Sequence, residues 1–246
     1  MGILTNEKDV AATLARYDKT CVHYNLIAEG VYRARHEEFQ DNPFDEGFVP
    51  YVVAGLVGFD IGRKMGVAED RYTVFASKLH AKMASLENCL KGISSYSIET
   101  CPLPSVSEQI GKAYDSLLDI WTKRQEVHVG ATKILHWLAP ELFIMIDSKV
   151  ASAFRVEYPT AFKEPTQPGY SAKKYVKCLE LAQREIQEFD GRFGSGAFRD
   201  LQHGTPLARI FDKVAFVVGG EAARAGPSSA NPESRTPVVC NARRRK

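Results

Sequence analysis

Between Asn6 and Ala28, the residues Val10, Leu14, Tyr17, Cys21, Tyr24 and Ile27 recur at steps of three or four, which predicts one amphipathic helix. The same pattern predicts helices over Glu69–Lys91, from Val106 to about Gln125, and over Ala131–Leu138, where Pro140 sets the limit. Asp147 and Ser148 supply cap residues for a helix running to about Glu157, ended before Pro159. Ser171–Phe189 reads as a charged amphipathic helix, and Thr205-Pro206 opens a last apolar helix through Val218. Turn residues fall between these stretches, at Asn42-Pro43, Asp45–Gly47, Ser94–Pro104, Glu164–Gly169 and Gly191–Gly196. Few segments sustain the alternation of a strand. The expected fold class is therefore all-α.

The most apolar stretch, Phe48–Phe59, has 12 residues, short of the roughly 20 that cross a bilayer as a helix. Glycines continue through and beyond it at Gly55, Gly58, Gly62 and Gly66. They lack the Gly-Lys-Ser/Thr ending of a phosphate-binding loop and do not fit G-x-G-x-x-G. The expectation is close packing, where glycine lets backbones approach.

Composition changes the picture at the C-terminus. The chain has 246 residues, 44% of them hydrophobic, enough for one sizeable domain or two closely joined lobes over residues 1–218. From Gly219 the sequence turns to Gly, Ala, Ser, Pro and Arg, which predicts a disordered basic tail over 219–246. That basic end is either a solvated terminus or a nonspecific anchor for DNA or RNA. Net charge is +2, but Glu221–Lys246 holds six basic and two acidic residues, so the rest carries about −2. Any nucleic-acid contact must then come from a local patch. Five scattered cysteines without a C-x-x-C pair argue against a zinc ribbon, an iron–sulfur cluster or a disulfide framework. The N-terminal residues do not form a signal peptide. A cytoplasmic, monomeric protein with no membrane partner is expected.

Chemistry concentrates in the 28 residues from Val127 to Phe154. A small turn at Gly130 precedes the helix that carries Lys133, and Asp147 follows the apolar run Phe143–Ile146. A glycine turn with outward N–H groups holds a phosphate, with His128, Thr132 and Lys133 reinforcing the contact. The bland alternative is a plain helix corner. Asp147 is a helix N-cap in its simplest role, yet a capping carboxylate facing a pocket also stabilises a sugar cation or orients water. Lys133 is a nucleophile only if its pKa is lowered, and otherwise a phosphate contact or a surface residue. His136 and Trp137 fit core positions. The six histidines lack metal-ligand spacing, so neither metal nor cofactor is expected.

The run Val129-Gly-Ala-Thr-Lys133, a helix, and then Ile144-Met-Ile-Asp147-Ser-Lys-Val150 resembles the helix–hairpin–helix DNA glycosylases. In that family a Leu-Pro-Gly-x-Gly hairpin leads into a helix with an early lysine, and an aspartate beyond the helix is needed for catalysis. By this resemblance Gly130 matches the last hairpin glycine, Lys133 the lysine and Asp147 the aspartate. The hairpin here reads Glu126-Val-His-Val-Gly130, without the Leu-Pro-Gly start, and the match covers roughly 30 residues. The Thr205–Phe216 stretch is similar to the closing helix of bacterial glycosylase-like proteins.

The resemblance implies a DNA glycosylase that flips a modified or damaged base and hydrolyses its N-glycosidic bond, in base-excision repair or anti-phage defence. It assigns catalysis to Asp147 and Lys133, and DNA contacts to His128, Gly130, Thr132 and Lys149. Trp137, Phe154 and Tyr158 are the candidate walls of the base pocket. The alternative is a noncatalytic helical DNA- or RNA-binding protein that uses the same hairpin, with Asp147 only as a cap. A third is an interaction protein whose Gly130 corner is purely structural.

Overall fold

Asn6 starts the first helix, its side-chain oxygen accepting the Asp9 N–H at 3.0 Å. The computed structural model describes residues 2–59, 69–121, 127–162 and 170–225. Helix α1 (Glu7–Thr20) ends at the buried Cys21, whose φ −119° and ψ 33° leave the helical region, and α2 (Val22–Glu37) begins at once. The single helix expected over residues 6–28 is thus two. Thr20 turns its hydroxyl back onto the Arg16 carbonyl at 2.8 Å, a bond that competes with the helical ladder and favours a bend.

After a 3-10 turn (Glu46–Phe48), capped by Asp45 through the Gly47 N–H, comes α3 (Val49–Gly58). A Cβ on Gly55 would lie 2.7 Å from the Trp137 ring, and one on Gly58 2.7 Å from Ile27. These two glycines serve close packing, as expected; Gly62 and Gly66 lie outside the described residues. The remaining helices are α4 (Glu69–Leu90), α5 (Leu103–Leu118), α6 (Val127–Leu138), α7 (Ser148–Glu157), α8 (Ala172–Phe193), α9 (Ala197–Asp200) and α10 (Leu207–Ala225). No strand occurs among the described residues. The fold is all-α.

The buried apolar residues form one contiguous cluster running from Ile3 to Ala215. Within it α7 and α10 make the most extensive helix pair. Their backbones touch because Gly219 has no side chain: a Cβ there would fall 1.8 Å from the Lys149 carbonyl oxygen. This contact corrects the boundary expected at Val218. Gly219 and Gly220 continue α10 through to Ala225, anchored by an Arg16–Glu221 ion pair to α1. Residues 226–246 of the expected tail lie outside the described residues.

Gly219→Ala is expected to destabilise the fold by about 1–3 kcal/mol, because the contact is backbone and the helices must separate. Gly30, in α2, has nothing within 4 Å of its Cβ position, so Gly30→Ala should stabilise by about 0.5–1 kcal/mol. Urea unfolding of the two variants beside the wild type reads both.

Candidate active site

The site is built around a short buried connector. After α6, the chain runs through Pro140 to Asp147, and Phe143–Ile146 lies in no helix or strand and is buried throughout. Such a segment lacks a ladder of its own, so its polar groups must find partners elsewhere. Here side chains from three helices supply them. His136 Nδ1 lies 2.5 Å from the Phe143 carbonyl, and Tyr175 donates its hydroxyl to the Ile144 carbonyl at 3.1 Å. The Met145 N–H points to Asp212 Oδ2 at 3.4 Å, and the Ile146 N–H donates to Thr132 Oγ1 at 3.0 Å.

A carbonyl only accepts, so His136 carries its proton on Nδ1 and its Nε2 accepts from the Tyr32 hydroxyl. Burial pushes the His136 pKa down to about 3 against the raising effect of the Phe143 bond, with Arg209 and Lys133 lowering it further. The imidazole is neutral and structural. Trp137 is buried beside it.

The connector delivers Asp147 to the N-cap of α7. Its Oδ1 accepts the Lys149 N–H at 2.9 Å and the Val150 N–H at 3.0 Å. Among the described residues Oδ2 has no such partner, and Asp147 borders a cavity of about 250 Å³. Lys133 lines the same cavity, 6% exposed, with Nζ 4.0 Å from the centre of the Phe59 ring. A cation over an aromatic face is stabilised in its charged form. The two residues singled out for chemistry therefore share one chamber.

Aromatic rings and a buried ion pair complete it. Tyr24 stacks on Phe59 with ring centres 5.1 Å apart, and Tyr17, Tyr170 and Phe216 add further wall. From α10, Arg209 donates Nη1–H to Asp212 Oδ1 and Nη2–H to the Tyr17 hydroxyl, both at 2.7 Å. Burial pushes the Asp212 carboxyl up to about 6, although Arg209 and the Met145 N–H pull it down, so the pair is ionised at neutral pH. These residues went unread in the sequence. The signal was available: Arg209, Asp212 and Lys213 interrupt the apolar run from Leu207 to Val218.

Other assignments need correction. Gly130 is not in a hairpin turn: α6 begins at Val127, and Gly130 is buried where a Cβ would lie 2.1 Å from the Trp121 ring. Its lack of a side chain admits that ring, not a phosphate. Glu126 lies outside the described residues. Thr132 is fully buried on the connector. His128 bonds Tyr114 at 2.7 Å and stacks on Tyr170, and burial lowers its pKa, so it offers no cation to DNA. Lys149 is half-buried with Nζ 3.9 Å over the Phe216 ring and does not line the cavity itself.

Trp137 and Phe154 are fully buried in the core and line no part of the cavity. Tyr158 donates to Glu185 in a separate cleft beside Gly2 and Leu4. All three were expected as pocket walls, and Tyr17, Tyr24, Phe59, Tyr170 and Phe216 take that place. No family model, curated protein or solved structure matches the chain.

Thr132→Val strips the Ile146 N–H of its acceptor, with an expected loss of about 1–3 kcal/mol in urea unfolding. His136 gives a second check. Its folded pKa lies below the unfolded value, so the unfolded chain binds the proton first as pH falls. Stability should drop between about pH 6.5 and about pH 3, at a slope approaching 1.4 kcal/mol per pH unit. Denaturant midpoints across that window should flatten in His136→Gln.

Proposed function

We propose that this protein is a DNA N-glycosylase that takes a modified or damaged base into the 250 Å³ cavity and hydrolyses its bond to the sugar. One observation carries the reading: Asp147 and Lys133, an anion and a cation 14 positions apart, line one aromatic-walled chamber. Flipping a base costs a few kcal/mol of stacking and pairing, which aromatic walls repay by stacking on the extruded ring.

In this scheme Asp147 Oδ2 faces the sugar. As the bond from the anomeric carbon to the base nitrogen breaks, its electron pair leaves with the base and positive charge develops on the sugar. A carboxylate held rigidly by two backbone N–H groups stabilises that charge without reorganising. Water then adds its oxygen to the anomeric carbon and loses a proton, while the departing base gains one. Lys133, kept cationic by the Phe59 face, stabilises negative charge on the leaving base. That role suits it better than nucleophilic attack, which needs the neutral amine. The phosphate grip assigned to Gly130 and Thr132 has no place in the scheme; Lys149, beside the Phe216 ring, remains its backbone contact.

The rival reading, a noncatalytic binder, draws on the capping bonds, which by themselves account for an aspartate at this position. Asp147→Asn separates the two, because an asparagine oxygen still caps the helix. Base release is measured as alkali-dependent strand breaks on duplexes that each carry one damaged or hypermodified base. The glycosylase reading expects release from at least one duplex, falling about 100-fold or more in Asp147→Asn with unfolding unchanged. Release that survives the substitution, or salt-sensitive DNA binding without release from any duplex, overturns it.

A further inference from the structure

The floor of the cavity has spent its acceptors and kept its donors. Asp212 Oδ1 takes the Arg209 Nη1–H, and Oδ2 takes the Met145 N–H. The Tyr17 hydroxyl accepts from Arg209, yet a phenol also carries one proton to give. Among the described residues nothing accepts that proton. Nor does anything accept from Arg209 Nε, which is fully buried. Tyr17 and Arg209 are 2% and 3% exposed, and both line the cavity. A buried donor without a partner costs about 1–3 kcal/mol, so the unspent Tyr17 proton on the cavity wall marks a place where a ligand's acceptor belongs, while Arg209 Nε lies behind that wall.

Charge sharpens the class of ligand. The Arg209 guanidinium lies 5.1 Å from the Tyr17 ring centre and 6.0 Å from that of Phe59, while the Lys133 ammonium covers the same Phe59 ring. Two cations thus flank the ring at the end of α3. A third fixed positive charge placed there would be repelled in a low-dielectric chamber. Burial also pushes the Tyr17 pKa upward, which keeps the phenol protonated and able to donate.

We infer that Tyr17 and Arg209 select the base: the Tyr17 O–H donates to a carbonyl oxygen on the buried edge of a neutral base, and the Arg209 charge behind it excludes bases with a fixed positive charge. The inference rests on the glycosylase reading of the cavity and names the substrate class that this site takes. Tyr17 comes from α1 and Arg209 from α10, and Asp212 links this edge to the connector that carries Asp147.

The test is binding by the full chain with Asp147→Asn, to keep substrate intact. The duplexes carry one 2′-deoxyuridine, one 8-oxo-2′-deoxyguanosine, one 7-methyl-2′-deoxyguanosine or only ordinary pairs. At least one of the two duplexes with a neutral modified base should bind about tenfold or more tightly than the cationic 7-methyl duplex, and tighter than the ordinary one. Adding Tyr17→Phe, which keeps the ring and removes one donor, should cut that preference about tenfold. Equal or tighter binding of the 7-methyl duplex overturns the inference. So does an absence of preference for any modified duplex, or a preference unchanged in a Tyr17→Phe protein that melts normally. Should Tyr17→Phe fail to fold, the comparison among duplexes decides alone. Base release by the wild type separates the two readings. Release from the 7-methyl duplex alone sinks this inference and leaves the glycosylase; binding selective for the neutral modified bases without release does the reverse.

Discussion

A buried segment outside any helix or strand imposes the constraint on which this site depends. Phe143–Ile146 is apolar enough to belong in the core, but its backbone is not, and each unmet amide or carbonyl there would cost about 1–3 kcal/mol. The protein meets the cost with His136 and Thr132 from α6, Tyr175 from α8 and Asp212 from α10. Those same bonds hold the residue that follows, Asp147, against the cavity. Stability and the placement of the carboxylate are one arrangement here.

That arrangement explains why polar residues occur deep in the core. Thr132, His136, Arg209 and Asp212 are all buried, where charged and hydroxyl-bearing side chains are expensive unless paired. Thr132 and His136 do structural work entirely. Asp212 divides itself, one oxygen on the connector and the other on Arg209, and so ties the connector's geometry to the cavity floor.

The helices were legible because their signals are local. Asp147 and Ser171 cap where their side chains and the following apolar steps said they should, and α4 ends one residue from its expected limit at Lys91. The bend at Cys21 was not legible, since the apolar steps continue through it. Gly130 and Gly219 were misread for one reason. Glycine marks a turn, a chain end or a tight contact, and the choice depends on what comes near: the Trp121 ring in one case, the Lys149 carbonyl in the other. The cavity followed the same rule. Lys133 and Asp147 stood out by local pattern, whereas Tyr17 and Arg209, 192 positions apart, meet only in the folded chain.

The contact between Gly219 and Lys149 also bears on how the chamber changes shape. With their backbones touching, α7 and α10 have no compressible side-chain layer between them at that point. Asp147 at the head of one and the Arg209–Asp212 pair on the other therefore travel as a single rigid jaw. The remaining wall is aromatic, Phe59 with Tyr24 stacked on it, and its Phe59 ring carries Lys133 of α6 at 4.0 Å and the Arg209 guanidinium at 6.0 Å. Under the proposed function, admission of a base becomes a matter of tilting rings against a fixed polar edge, so the charged groups keep their spacing while the walls give way.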